Sequence, residues 1–372
     1  MRAIAIRETP RSPARCTHKA RAESGAGFDD AGFPAWQSQF ASQLAAQAQP
    51  AFWTAAQQNA WQAGVNLEVE QQAHRLIVRA NAPADQLGRL LTLYRVRQTL
   101  IELDVAGMDE ARNALAEKLR RQSDSFSAHQ DRLWQYLLAG PAEGFYPSTE
   151  ALETLTPDLI QTLWQRQAHA PVTYYLMADV APEQLEKLVR SELASIVRTQ
   201  APPMRPRLLP AGRREALLSG ALEPRARIQA ASASEHPWSP EDAVRITALR
   251  ELALNQLKKR LRQEAAGIYR MNFKATLSPE ENRILSELSF TSAPQRMEEL
   301  WTLAQDTLAG LHAGLSEADI APLRERFRQQ ETERRSDPDV QFRRLILSDH
   351  AWGDPRYLTR QAELVDALEL AP

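Results

Sequence analysis

Two residues in the second half of the chain, Arg262 and Tyr269, are of types that can bind and polarise a peptide. They are seven positions apart, with Gly267 between them. The planar guanidinium of an arginine donates hydrogen bonds to carbonyl or carboxylate oxygens, and a phenol that is protonated at neutral pH can donate to a developing oxyanion. The same residues also fit ordinary roles, a helix-terminal arginine on the surface and a strand tyrosine in the core. Spacing alone leaves both interpretations open.

Other catalytic chemistries lack their sequence signals. The seven histidines are scattered, with none within five residues of another, so no local zinc-binding pair exists on a helix. Neither a phosphate-binding glycine loop nor the Gly-x-Ser-x-Gly motif of serine hydrolases occurs. The only cysteine, Cys16, can form no intrachain disulfide and has no neighbouring base. We therefore predict no metal ligands and no cofactor-binding residues in this chain, and elimination leaves Arg262 and Tyr269 as candidates.

A helix, a tight turn and a strand must position this pair. Ser239 followed by a proline and two acidic residues predicts a capped helix start. Apolar residues then recur at helical spacing until Gly267, which predicts the helix end. Residues 268–276 alternate with a period of two, which is typical of a half-buried strand, and residues 283–290 predict a second strand. The turn is therefore expected to bring both side chains to one edge of a sheet.

Composition limits the function classes. The 372 residues suggest about two domains, and 43% hydrophobic with 25% charged residues is ordinary for a globular protein. A net charge of -2 argues against a nucleic-acid partner. The sequence contains no apolar run of 18 residues, so no membrane span is predicted. It also has no secretory signal, which as written predicts a cytoplasmic location.

The chain divides into two similar halves. We interpret residues 1–30 as an arm that is disordered or outside the fold and residues 201–210 as a linker. Residues 31–200 and 211–372 then form two homologous α/β domains, each a mainly antiparallel sheet backed by helices, which makes the fold class α+β.

The repeat is visible in the order of elements. Strand 74–80, Pro83 and a long helix correspond to strand 283–290, Pro294 and a long helix. We also expect strands at 213–219 and 225–232 that have no clear partners in the first copy. The last strand and flanking helices of the first copy have no equivalent in the second, so the chain is expected to be cut at both ends relative to a complete pair of repeats.

At Arg262, Gly267 and Tyr269 the sequence resembles the pitrilysin/insulinase family of zinc metallopeptidases. The motif Arg-x-x-x-x-Gly-x-Tyr lies between a helix and a strand in the C-terminal, non-catalytic half of that family, and the likeness, closest to bacterial periplasmic-type members, covers about residues 33–372. It implies a clamshell of α/β repeats in which another half or partner subunit carries the zinc. It also implies that Arg262 and Tyr269 bind the peptide substrate and that Tyr269 acts as oxyanion donor only in the complex.

This resemblance predicts an accessory function. Because the zinc motif is absent, the chain alone is expected to be inactive, to hold no zinc and to supply substrate binding and transition-state stabilisation to a zinc site located elsewhere. The alternatives are a non-proteolytic structural or assembly subunit of the same fold and an inactive gene fragment. The resemblance further implies a periplasmic location if the chain is part of an exported longer protein.

Overall fold

The structure is a computed structural model that describes most of the chain. The chain folds into two compact units, Met1–Leu218 and Ser219–Pro372. None of the helices in the described part has the length and apolar character needed to cross a membrane. The predicted linker at 201–210 stays a prediction, because its residues 204–210 lie outside the described ones. The described residues are 2–7, 17–48, 53–101, 105–123, 125–139, 147–203, 211–220, 225–279, 281–352 and 356–368.

The first unit combines one sheet with helices. Its strands are β1 (Arg2–Arg7), β2 (Thr17–Ser24), β3 (Asn66–Gln71), β4 (Leu76–Pro83) and β5 (Val172–Ala178). Its helices are α1 (Ala35–Gln47), α2 (Ala55–Gln62), α3 (Leu87–Thr99), α4 (Val105–Ser123), α5 (Phe126–Ala139), α6 (Thr149–Leu152), α7 (Pro157–Ala168) and α8 (Pro182–Leu188), the last continued by a π-helical turn, Val189–Leu193.

The sheet of the first unit has the strand order β1-β5-β2-β4-β3. Only the β1–β5 pair is parallel, and the other pairs are antiparallel. The prediction that residues 1–30 lie outside the fold is therefore wrong for the described segments 2–7 and 17–24, because β2 is an interior strand between β4 and β5. Charged residues hid this strand: Glu23 is buried and its carboxylate is paired with Arg21 at 2.5 Å and Arg75 at 3.4 Å.

The second unit has a smaller sheet among the described residues. Its strands are β6 (Ala226–Glu235), β7 (Ile268–Ser278) and β8 (Arg283–Ser292), in the antiparallel order β6-β8-β7. The predicted strand at 213–219 is wrong, since residues 211–220 have no regular structure, whereas the strand predicted at 225–232 is confirmed as β6. The helices are α9 (Pro240–Leu257), α10 (Met297–Ala309), α11 (Leu311–Gly314), α12 (Glu317–Arg334), α13 (Pro338–Trp352) and α14 (Arg356–Asp366).

The two units repeat one arrangement. In the first unit β2 pairs with β4 and β4 with β3, and in the second β6 pairs with β8 and β8 with β7. A single 3₁₀ turn follows β4 and β8, at Ala84–Gln86 and Pro294–Arg296, and each turn leads into a helix of 13 residues. The counterpart of β6 in the first copy of the repeat is therefore β2, a strand that the sequence interpretation had placed outside the fold. The fold class, α+β with mainly antiparallel sheets backed by helices, is confirmed.

Candidate functional site

Helix α9 and its extension carry Arg262. The Ser239 hydroxyl accepts a hydrogen bond from the backbone N–H of Asp242 at 3.0 Å, which confirms the predicted N-cap. The helix continues past Leu257 as a π-helical segment, Lys258–Glu264, and this segment includes Arg262. Single π turns within α-helices occur frequently at functional sites. Arg262 is exposed there, and within the described part of the chain its guanidinium takes part in no ion pair.

A three-residue turn separates the helix from β7. The N–H of Ala265 donates to the carbonyl of Arg260 at 3.0 Å, and the N–H of Gly267 donates to the carbonyl of Leu261 at 3.1 Å. Between them Ala266 has φ 48°, in the left-handed region that residues with a Cβ rarely occupy. The turn thus closes the helix end with two backbone hydrogen bonds and one strained residue.

The strand after the turn begins with a β-bulge at Tyr269. Ile268 pairs with Ser292 and Arg270 pairs with Thr291, so Tyr269 is the extra residue in the ladder. Bulges redirect side chains and are common beside active sites. The structure describes Tyr269 by its backbone alone, so the closeness of its phenol to the Arg262 guanidinium stays a prediction.

The core beneath the turn fixes its two ends. Leu261 precedes Arg262 and is fully buried, and Ile268 precedes Tyr269 and is also buried. Both belong to one apolar cluster with Leu300 of α10. A Cβ added at Gly267 would lie 2.6 and 2.8 Å from the two methyl carbons of Leu300. Only a glycine therefore lets the chain pass this close to α10 without displacing Leu300.

An arginine that the sequence interpretation missed contacts the turn from the 3₁₀ turn before α10. Nη1 of Arg296 donates to the carbonyl of Ala265 at 2.9 Å. The other side of the same guanidinium holds Glu299, with Nε to Oε2 at 3.0 Å and Nη2 to Oε1 at 2.6 Å. The hydrogen bond with Arg296 lowers the pKa of the Glu299 carboxyl, and the hydrogen bond with Glu299 raises the pKa of Arg296. An Arg–Glu pair three residues apart in a first helical turn was the available sequence signal.

The first unit has a related helix–glycine–strand turn with a different backbone, because its left-handed residue is Gly64, with φ 80°, whereas in the second unit it is Ala266. When Gly64 is aligned with Gly267 in the sequence, Asn59-Ala-Trp-Gln-Ala-Gly-Val-Asn66 falls opposite Arg262-Gln-Glu-Ala-Ala-Gly-Ile-Tyr269. In this alignment two asparagines stand opposite the arginine and the tyrosine. The Asn59 and Asn66 residues are exposed.

No site for zinc is assembled in the described part of the chain. Nowhere among those residues do three or more His, Cys, Asp or Glu side chains come together in a group able to hold a metal ion. Two of the described histidines each lie beside a carboxylate: His74 lies 4.0 Å from that of Asp29, and His236 lies 3.1 Å from that of Asp242. The described residues therefore include no set of ligands that fits a zinc ion.

Comparison with known proteins supplies the family. A curated protein of Haemophilus influenzae, described as the probable zinc protease PqqL, is 26% identical over 168 residues, which are 45% of this chain and 18% of that protein. The crystal structure of a mutant of the ferredoxin protease FusC with Arabidopsis ferredoxin superposes with a TM-score of 0.89 and 34% identity, covering 98% of this chain and 41% of FusC. This chain belongs to the pitrilysin/insulinase family of peptidases. No protein-family model matches the sequence.

Two further structures share the pitrilysin/insulinase fold. The periplasmic protease PqqL of Escherichia coli superposes with a TM-score of 0.85 at 17% identity, over 95% of this chain and 40% of PqqL. An inactive domain of peptidase M16 from Pseudomonas fluorescens gives 0.74 at 13% identity, over 99% of this chain and 89% of that domain. The chain thus spans less than half of FusC and of E. coli PqqL. It corresponds to a non-catalytic half of the peptidase fold.

Proposed function

We propose that this chain supplies peptide binding and transition-state stabilisation to a zinc site carried by another half or subunit. Its peptidase fold and the lack of a metal-binding group in the described residues support this division of labour. Arg262 is the proposed contact for peptide carbonyl or carboxylate oxygens, and Tyr269 is the proposed oxyanion donor.

The comparison of the two turns carries the proposal. Both turns have a glycine followed by a buried apolar residue, Val65 or Ile268, yet only the second has Arg262 and Tyr269, five residues before and two after its glycine, where the first has Asn59 and Asn66. A turn of this type therefore forms without an arginine or a tyrosine. The second turn also has the π-helical segment and the bulge, two irregular features that are enriched beside active sites. Together these differences favour function over structure as the reason for the pair.

The two side chains would act at different stages of hydrolysis. A guanidinium that holds the peptide before reaction stabilises the bound substrate and the transition state alike, so its loss raises KM. A phenol that donates to the oxygen on which negative charge develops acts mainly in the transition state, so its loss lowers kcat. Both roles require the phenol and the guanidinium to face the peptide rather than the core.

The test is peptide hydrolysis by the complex of this chain with a zinc-bearing half, or by a longer chain that contains both. We expect Tyr269→Phe to lower kcat by about 10²- to 10³-fold, which is roughly 2.7 to 4 kcal/mol, as for other oxyanion donors. Arg262→Ala is expected to raise KM. The matched controls are Asn59→Ala and Asn66→Ala, which change the equivalent turn of the first unit and should leave both constants unchanged.

Full activity with both Arg262 and Tyr269 replaced would contradict the proposal and favour a structural or assembly subunit. Because the FusC structure that resembles this chain is described in complex with ferredoxin, we propose ferredoxin as the first substrate protein for this assay. If ferredoxin is not cleaved, ferredoxin is excluded as the substrate, and the roles of the two residues are tested on other peptides.

A further inference from the structure

We propose that Arg296, oriented by Glu299, is a positioning residue that sets the turn between Arg262 and Tyr269. This inference rests on the proposed function of that pair. It assigns a role to a residue that comes 27 positions after Tyr269 in the sequence and belongs to a different element, the 3₁₀ turn before α10.

The first step is the geometry of the guanidinium. Two of its nitrogens are occupied by the Glu299 carboxylate, at 3.0 and 2.6 Å, and the third donates to the carbonyl of Ala265 at 2.9 Å. A two-point contact with a carboxylate fixes the plane of a guanidinium, which an ammonium group cannot reproduce. The direction of the third donor is therefore set by Glu299.

The second step concerns the segment that the Nη1 donor of Arg296 contacts. Ala265 caps the π-helical segment that carries Arg262, and only three residues separate it from Tyr269. The Arg296 guanidinium also lies close to Gly267, with Nη1 3.1 Å from the position of an added Cβ. Arg296 thus contacts both ends of the three-residue turn, and below it Leu300 contacts the same glycine.

The third step is the consequence for chemistry. Ala266 has a left-handed backbone, and the last backbone hydrogen bond of the helix end is the one from Gly267 to Leu261. Without Arg296 the Ala265 carbonyl loses its side-chain donor and the turn can relax. A misplacement of a catalytic group by about 1 Å can cost on the order of 10²-fold in rate. The expected loss is therefore one of kcat, through Tyr269, and not of folding.

The first measurement needs only this chain. Amide hydrogen exchange of Gly267 reports opening of the turn, and we expect Arg296→Ala to accelerate it on the order of 10-fold because local opening is governed by the few contacts that hold a segment. Glu299→Gln, which leaves the Ala265 contact but weakens its orientation, should give a smaller acceleration. Arg328→Ala is the matched control: it removes an exposed arginine paired with Asp366 in the same unit and should leave Gly267 unchanged.

The second measurement is a double-mutant cycle in the reconstituted peptidase. Arg296→Ala alone is expected to lower kcat on the order of 10-fold with little change in KM. In a Tyr269→Phe background it should lower kcat no further, because a residue that acts through the phenol has no effect once the phenol is gone. A purely structural role would lower the activity of both backgrounds equally.

The outcomes separate the two proposals. If Tyr269→Phe itself leaves kcat unchanged, the oxyanion role of Tyr269 in the proposed function fails, and the positioning role of Arg296 fails with it. If Tyr269→Phe lowers kcat, two results overturn only the positioning role. One is that Arg296→Ala leaves kcat unchanged, and the other is that the double variant loses kcat by the product of the two single fold-changes. Should Arg296→Ala fail to fold, Glu299→Gln carries the same cycle, since its side chain does not contact the turn.

Discussion

The two units connect a helix to a strand through glycine-containing turns whose backbones differ. In the first unit α2 ends with an ordinary α-helical hydrogen bond, from the N–H of Ala63 to the carbonyl of Asn59, and the strand ladder begins without irregularity at Asn66. In the second unit the helix ends in a π segment and the ladder begins with a bulge at Tyr269. The irregular backbone occurs beside Arg262 and Tyr269, the pair proposed to contact the substrate. Strain is therefore located where function would require a specific side-chain direction.

An arginine reaches back to the helix end in both units, but from different positions. Arg89 of α3 donates to the carbonyl of Ala60 and lies near Gln86, whereas Arg296 donates to Ala265 and is held by Glu299. Counting from the preceding strand, Gln86 matches Arg296 and Arg89 matches Glu299. The arginine of the second unit thus has a charged partner, Glu299, whereas the arginine of the first unit has a neutral one, Gln86. Only the contact between Arg296 and Ala265 is directed by an ion pair.

The two sheets also differ at one edge. β2 is bonded on both sides, to β4 and β5, whereas its counterpart β6 is bonded only to β8 among the described residues. An edge strand leaves every second N–H without a ladder partner. Within the described parts of the two sheets, the same position in the repeat is therefore an interior strand in one unit and an edge strand in the other.

The largest expected difference between the units follows from these edges. We expect slow amide exchange along all of β2 and fast exchange at alternate residues of β6, with rates differing by about 10³-fold or more because interior strands exchange only through openings that cost several kcal/mol. Hydrogen exchange followed by NMR measures both strands in one sample. Uniform protection along β6 would instead show that residues outside the described part pair with it, and the contrast between the sheets would disappear.

Gly267 and Gly64 occupy equivalent positions for different physical reasons, which mutations can separate. Gly267→Ala should cost about 1–3 kcal/mol by overpacking, since the new methyl would lie 2.6 Å from Leu300. Gly64 has φ 80° and only ordinary contacts, with Gln86 at 3.4 Å, so Gly64→Ala should cost roughly 1–2 kcal/mol through its left-handed backbone. Urea unfolding of each variant gives the free energies.

Double mutants distinguish the two causes. Leu300→Ala is expected to recover on the order of 1 kcal/mol of the Gly267→Ala cost by making room for the methyl group. Gln86→Ala should recover nothing for Gly64→Ala, whereas Gly64→Asn should be better tolerated because asparagine visits left-handed backbone more readily. Equal coupling in both pairs would mean that packing, and not backbone conformation, constrains both glycines.

The sequence predicted regular elements well where local chemistry determines them. The cap at Ser239, the change of period after Gly267 and the strand pair that follows are all local signals, and the structure has them as α9, β7 and β8. It failed at β2, whose buried His18 and Glu23 contradict the pattern of an interior strand until Arg75 from the β3–β4 hairpin is brought beside the carboxylate. Arg296 was missed for the same reason, since its contact with Ala265 spans 31 residues.

The smallest expected difference concerns pH. The hydrogen bond with Arg296 lowers the pKa of Glu299 from its ordinary 4.5, so the carboxylate is charged at neutral pH. Because the folded pKa lies below the unfolded one, this contact contributes its full stability above pH 4.5 and loses it as the pH falls through the lower, folded value. In the first unit Gln86 does not titrate, so the contact between Arg89 and Ala60 should be insensitive over the same range.

NMR of the arginine side chains can detect this difference without a change in global stability. As the pH is lowered from 6, the Nε–H resonance of Arg296 is expected to shift with an inflection below pH 4.5, because the pKa of Glu299 is lowered, and that of Arg89 should show none. A Glu299→Gln variant should remove the inflection and leave Arg89 unaffected. If Arg296 shifts in that variant too, another carboxylate orients its guanidinium, and Glu299 would not be what distinguishes the second turn from the first.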